Sequence, residues 1–187
     1  GTIDVNHKVP KMDFISTIHN FDLEKTHFSN SKLHGKLSSQ LFINLNGDDL
    51  DNLSGQINLD NTVYKQDSKV YRLNKFNLYF DQSQISKSIR LNSTIVNAQL
   101  SGKYQLSKLP KAFNQYLNTY FPTVFKTNTR YIYSDKADLS ITIKNFTMIK
   151  DLFLNDVMIS PNTQIDASFD AAINYLYIKS SNNLVNY

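Results

Sequence analysis

The sequence predicts an all-β fold in which antiparallel strands share one continuous apolar face, interrupted by a single amphipathic helix near 108–121. Three observations carry this expectation. Polar and apolar residues alternate with period two along most of the chain. Leu33, Gly35, Leu37, Ser39, Leu41, Ile43 and Leu45 fall to one side, and His34, Lys36, Ser38, Gln40 and Asn44 to the other. Successive strand side chains face opposite sides of a sheet, so this is the pattern of a strand with one wet face. Phe42 is the exception. The alternation returns at Gly55, Ile57 and Leu59 and at Ala137, Leu139, Ile141 and Ile143. Turn-forming residues separate the runs, Asn46-Gly47-Asp48 above all, because Asn and Gly adopt positive φ readily. Finally, only one long stretch changes to helical spacing.

In chain order, Met12, Phe14, Ser16 and Ile18 define a first strand after the Pro10 break. A long strand beginning near Leu33 and ending at 46 is expected to form a hairpin with 53–60. Segment 69–80 changes parity near Asn74, and segment 88–106 changes it between Ile95 and Ala98. A parity change keeps one face buried only where a bulge inserts a residue, so a bulge is expected in each. From Lys108 onward, Leu109, Phe113, Tyr116, Leu117, Tyr120 and Phe121 share one helical face, with Pro110 tolerated in the first turn and Pro122 ending the helix. This helix either closes a core or plugs one end of a groove. A strand over 130–144, a short helical turn through Met148, Ile149, Leu152 and Phe153, and a hairpin of 157–170 with 172–179 complete the chain. Leu33-His34-Gly35, Leu53-Ser54-Gly55 and Leu100-Ser101-Gly102 share an apolar-x-Gly pattern that reads as a strand start. Their spacing is too irregular for a fixed-period solenoid and suits a stack of hairpins, each burying its face with its neighbours' help.

A chain of 187 residues suits one domain spanning 1–187. Asparagine is over-represented, only Arg72, Arg90 and Arg130 accompany the many lysines, and Glu24 is the sole glutamate, a bias that reads as an AT-rich genome rather than as chemistry. The net charge of +4 is mild and the lysines are scattered, so the concentrated basic stripe of a nucleic-acid interface is missing. There is no cysteine for disulfides or thiol chemistry. No apolar run approaches the roughly 18 residues of a membrane-spanning helix. The chain opens Gly1-Thr2 without methionine or a signal peptide, which reads as an internal fragment of something longer. His7, His19, His27 and His34 lack metal-ligand spacing, and no glutamate closes the Asp48, Asp49, Asp51 turn as a calcium loop would need, so neither a metal nor a cofactor is expected. No nucleophile elbow, phosphate-binding loop or dinucleotide fingerprint occurs, and the expectation is a protein that is not an enzyme. Asn92-Ser93-Thr94 and Asn145-Phe146-Thr147 match a glycosylation acceptor, as chance allows in so asparagine-rich a chain.

Several words of the sequence occur in a suggestive order: Asn20-Phe21-Asp22-Leu23, Leu33-His34-Gly35-Lys36-Leu37, Leu50-Asp51-Asn52-Leu53-Ser54-Gly55-Gln56-Ile57 and Tyr71-Arg72-Leu73. Ala98-Gln99-Leu100-Ser101-Gly102-Lys103-Tyr104 ahead of Leu109-Pro110, and Ile159-Ser160-Pro161-Asn162-Thr163, continue the series. Together, over most of 12–179, they resemble an internal stretch of the TamB-like translocation and assembly module proteins of the Bacteroidetes type, in the AsmA-like superfamily. The resemblance implies an elongated, curved β-sheet shaped like a taco, a half-open barrel with an apolar interior. It also implies a long periplasmic protein anchored in the inner membrane, reaching a BamA-family outer-membrane partner and carrying phospholipid between the membranes.

The residues alone allow such a face to close on itself, meet a second sheet or form a trough. In a trough, acyl chains would stand in for core side chains at roughly 0.8 kcal/mol per buried methylene. The expected lining is Leu37, Leu41, Ile43, Leu45, Ile57, Leu59, Leu139, Ile141 and Ile143, with the 108–121 helix as plug or cap. Two other readings stand beside this one. In the first, an assembly scaffold pairs an exposed strand edge with outer-membrane protein strands. In the second, a closed sandwich acts as an adhesin or carbohydrate-binding module with Tyr175 and Tyr177 as its stacking platform.

Overall fold

In the computed structural model, which describes residues 1–5, 9–25, 34–83, 86–120, 122–123, 136–153, 159–169 and 175–179, the alternating runs become one antiparallel sheet of ten strands. These are β1 Thr2–Asp4, β2 Lys11–Asp22, β3 Lys36–Asn46, β4 Ser54–Gln66, β5 Lys69–Gln82, β6 Lys87–Ser93, β7 Val96–Lys103, β8 Lys136–Ile143, β9 Thr163–Phe169 and β10 Tyr175–Lys179. Helix α1, Leu109–Tyr120, follows β7, and α2, Thr147–Phe153, follows β8. The strands lie side by side in chain order, so every ladder joins sequence neighbours. The sheet is open, with β1 and β10 as its two edges. Adjacent strands are rotated by roughly 20–25°, which makes a sheet of this width curl.

The all-β expectation therefore holds, as do the β3–β4 hairpin, the α1 helix and the α2 turn. Several details differ. Segment 88–106 is not one bulged strand: β6 and β7 form a hairpin through Thr94 and Ile95, and its parity change marks that turn. Ser93 Oγ builds it, accepting from Val96 N at 2.9 Å and donating to Val96 O at 2.7 Å. The apolar-x-Gly pattern is not always a strand start either, since Gly102 lies near the end of β7. A further short strand, β1, precedes the expected first one and pairs Thr2, Ile3 and Asp4 with Asp13, Met12 and Lys11. Leu33 and residues 130–135, 157, 158 and 170–174, which the sequence places in strands or their connections, lie outside the described residues.

The parity change near Asn74 is present and has a physical origin. Against β3, strand β4 passes from Val63 to Asp60 while β3 advances only from Ser38 to Gln40, so β4 carries an extra residue there. Asn61 sits at this step with φ of 51°, a left-handed conformation that asparagine tolerates. Against β5, Asp60 faces Lys75 and Thr62 faces Leu73, which skips Asn61 and Asn74 together. Leu73 and Phe76 consequently fall on the same face.

Gly55 and Gly102 sit at one end of the sheet, because β4 starts where β7 finishes. Their φ values are 118° and 141°. A Cβ would lie only 2.1 Å from Asn44 O at Gly55 and 2.1 Å from Lys136 O at Gly102. Both contacts are to backbone of a paired strand, so the clash cannot be relieved by a rotamer change. Gly55→Ala and Gly102→Ala are each expected to lower the unfolding free energy by about 2 kcal/mol or more. Urea unfolding followed by far-ultraviolet circular dichroism measures this.

Candidate functional site

Registering the strands turns the alternation into rows that cross the sheet. Phe14, Ile43, Ile57, Leu78, Leu91, Ala98, Ile141 and Ile165 stand opposite one another from β2 to β9. The next row on that face is Met12, Leu45, Gly55, Phe80, Ile89, Leu100, Leu139 and Ala167. On the other side of the middle row lie Leu41, Leu59, Phe76 and Ile143, with Ser16, Ser93 and Thr163 among them. At the strand spacing of about 4.8 Å, the middle row extends roughly 34 Å.

All nine residues expected to line a groove thus share this face. Ile43, Ile57 and Ile141 occupy the middle row, Leu45 and Leu139 one flank, and Leu41, Leu59 and Ile143 the other. Leu37 lies further out, beyond Ser39, opposite Phe21 and Tyr64. Sequence reasoning did not assign Phe14, Leu78, Leu91 and Ile165 to the lining. Their own alternation was the available signal, but only cross-strand register joins it to Ile43 and Ile141.

The middle row is not sealed. Each of its eight side chains is half-buried, neither inaccessible nor fully exposed. The buried apolar side chains are Tyr64, Leu73, Tyr104, Ala112, Ala137, Phe146, Leu152, Ala167 and Ile143, so that Ile143 of the expected lining is covered; Tyr104, Ala137 and Ala167 form one core, with Ile89, Leu100, Leu106, Leu109 and Leu139 packed around them.

That core closes one end of the face. The chain leaves β7, places Tyr104 and Leu106 against the flanking row, and enters α1 with Leu109. A polar tie holds this return in place. Ser107 Oγ donates to Asp51 Oδ2 at 2.6 Å, its backbone N donates to Oδ1 at 3.3 Å, and Lys87 Nζ donates to Asp51 O at 2.6 Å. The Ser107 hydroxyl is the leading reason that the Asp51 carboxyl lies below its usual pKa. Asp49 serves the same turn by capping the 3-10 segment Leu50–Asn52 through its amides. The acidic turn is thus a fastening. Of the proposed plug residues, Leu109 belongs to this core; the side chains of Phe113, Tyr116, Leu117 and Tyr120, and all of Phe121, lie outside the described residues.

The opposite end carries a second fastening. Strands β4 and β5 run past β6, and α2 meets the projecting part. Asp151 accepts from Lys69 Nζ at 3.3 Å and from Tyr71 Oη at 3.4 Å. Phe146 and Leu152 on either side are buried. Tyr71 stacks on Tyr64, centroids 6.1 Å apart. The Tyr64 hydroxyl accepts from Gly35 N at 3.1 Å and donates to Gln66 Oε1. The strand ends are therefore tied down, while the row itself runs out towards the sheet edges.

The other face is polar. Asn58, Asn77, Asn92 and Asn97 form one cross-strand row, and Gln56, Tyr79, Arg90, Gln99, Ser140, Asp166 and Tyr177 another. The exception at Phe42 is explained by its partner, since Ile15 of β2 stands directly opposite it. Among the described residues there is no cluster of three or more His, Cys, Asp or Glu that could hold a metal ion, and no helix long and apolar enough to cross a membrane. His7 and His27 lie outside the described residues.

Burial pushes the Tyr104 phenol up to about 12. An unfolded tyrosine ionises near pH 10. The stability that neutral Tyr104 contributes is therefore intact below pH 10 and is lost as pH rises through 12. Within that window the unfolding free energy is expected to fall by up to about 1.4 kcal/mol per pH unit from this group. Tyr104→Phe should flatten the fall, as read from urea midpoints at pH 9, 10.5 and 11.5.

Against known proteins, the chain matches no family profile and no solved structure. It is 25% identical over 190 residues, 91% of its own length, to a Plasmodium falciparum (isolate 3D7) protein named as a candidate E3 ubiquitin-protein ligase. The chain spans about 2% of that relative's length. The chain contains no cysteine.

Proposed function

We propose that the apolar face binds phospholipid acyl chains and forms one section of a lipid-carrying path in the bacterial envelope. The observation that carries this reading is the middle row, eight strands wide and apolar throughout, none of whose side chains is fully buried. Such a face is stable in water only if something apolar covers part of it. A bilayer core is about 30 Å thick, so one tail spans about 15 Å, and the row has room for two tails end to end. At roughly 0.8 kcal/mol per methylene, a tail of about fifteen methylenes gains on the order of 10 kcal/mol before ordering losses. Repeated Leu, Ile and Phe side chains present no single polar trap, which suits passage along the row better than tight capture at one position.

The likeness to the TamB-like family extends this reading to a periplasmic segment of a bridge anchored in the inner membrane and working with a BamA-family outer-membrane protein. A second reading is strand pairing at a sheet edge, where an unpaired strand is a template for an added one. Proline placed at an outward amide of β10 separates the two, because it blocks pairing and leaves the apolar rows untouched.

A photo-crosslinking residue at Ile43 is expected to capture phospholipid, detected by mass spectrometry of the purified chain, whereas the same residue at Asn44 on the polar face captures none. Ile43→Asp and Ile141→Asp, with the fold verified by circular dichroism, should each lower retained lipid by about tenfold or more. Folded Ile43→Asp protein that retains lipid at the original level would disprove the lining.

A further inference from the structure

The polar face has a feature that the apolar face does not explain. Across β7 to β10 it sinks into an open hollow of about 420 Å3 lined by the side chains of Gln99, Ser101, Asp138, Ser140, Asp166 and Tyr177, with Leu139 and Ala167 also contributing. A second hollow of about 220 Å3, containing Arg90, Asn92, Asn97 and Thr142, shares Gln99 and Ser140 with it. The depth comes from side-chain size: Ser101 and Ser140 are short, while Gln99, Asp138, Asp166 and Tyr177 rise around them. Register makes the furrow linear, because Arg90, Gln99, Ser140, Asp166 and Tyr177 stand opposite one another from β6 to β10.

We infer that this furrow binds a neutral oligosaccharide, laid across the strands with one sugar ring against Tyr177. The lining alternates hydroxyl, amide and carboxylate groups, which together accept from and donate to vicinal sugar hydroxyls. Asp138 accepts from Ser168 Oγ at 2.6 Å through one of its two oxygens, an anchor that fixes the carboxylate at the wall of the hollow. Tyr177, on the edge strand, is 52% exposed and presents an amphipathic ring at the rim, where a sugar's C–H face can stack.

Charge argues against an anionic ligand. Two carboxylates stand in the larger hollow, and the cation of the smaller one is engaged: Arg90 pairs with Asp81 at 2.8 Å and lies over the Tyr79 ring, 5.6 Å from its centroid. The four strand spacings from β6 to β10 amount to about 19 Å. A pyranose unit advances its chain by a distance comparable to one strand spacing, so the furrow fits three or four units in register with the strands. This inference does not rest on the lipid reading, since the polar side chains it uses lie on the opposite face.

The test is a printed panel of neutral tri- to hexasaccharides, with uronic-acid and sulfated oligosaccharides alongside, probed with the labelled chain. At least one neutral oligosaccharide is expected to retain it. Tyr177→Ala and Asp166→Ala should each weaken that retention by about tenfold or more, and Ser140→Leu, which fills the floor, should abolish it. Ile43→Asp, on the other face, should leave it unchanged. Circular dichroism of each variant separates lost binding from lost fold. No retained neutral oligosaccharide, stronger retention of the acidic ones, or full retention by folded Tyr177→Ala would each overturn the inference.

Discussion

Register between adjacent strands is the constraint on which the rest of this structure depends. A slip of one residue in any ladder would turn every side chain of that strand to the opposite face. The apolar rows exist because nine successive ladders preserve face identity. The places where the count fails show how strict the requirement is, and the first is in β2, which carries an extra residue against β3 between Ile18 and Phe21, where Asn20 has φ of 49°. β4 accommodates its extra residue against β3 at Asn61, and β5 answers by skipping Asn74. Two irregularities cancel, so Tyr64 and Tyr71 beyond them share a face with Ile57 and Leu78 before them.

A sheet with one open apolar face lacks the second layer that stabilises most domains. Here the deficit is met locally. A small core of Tyr104, Ala137 and Ala167 lies at one end, and stacked tyrosines lie at the other. In each case an aspartate fastens the covering segment to a distant strand or turn: Asp51 to Ser107 and Asp151 to Lys69 and Tyr71. Charged groups with one side towards solvent hold these segments without covering the middle row. The two faces consequently offer different chemistry on one backbone, aliphatic on one side and amide, hydroxyl and carboxylate on the other.

Much of the fold was legible because the information is local. Period two in Leu37–Leu45 and Ala137–Ile143, and period 3.6 from Leu109, follow from geometry that each segment imposes on itself. The misread segment shows the limit. Between Ile95 and Ala98 a bulge and a tight turn leave the same trace in the alternation, and only the Ser93 hydroxyl, whose role depends on Val96 folding back, distinguishes them. The lining residues were legible as a face but not as rows, because Phe14 and Ile165 enter one row with Ile43 only through cross-strand register. The fastenings were invisible for a related reason. Asp51 and Ser107 are 56 residues apart, and nothing in an Asp-rich turn marks one carboxylate as bound to a remote serine. The furrow on the polar face likewise depends on which short side chains become neighbours across strands.

Because every ladder joins strands adjacent in the chain, the sheet is quasi-one-dimensional in its energetics. Each hairpin draws its stability from itself and two neighbours, and a perturbation decays with distance along the row. Opening should therefore begin at β1 and β10 and travel inward as a zipper, with backbone amides of β4 and β5 exchanging last. Contacts at short sequence separation also reduce the loop-closure entropy that slows most all-β proteins. Such an architecture can be lengthened by adding hairpins at an edge without redesigning its centre, so its length is a variable that selection can change in small steps.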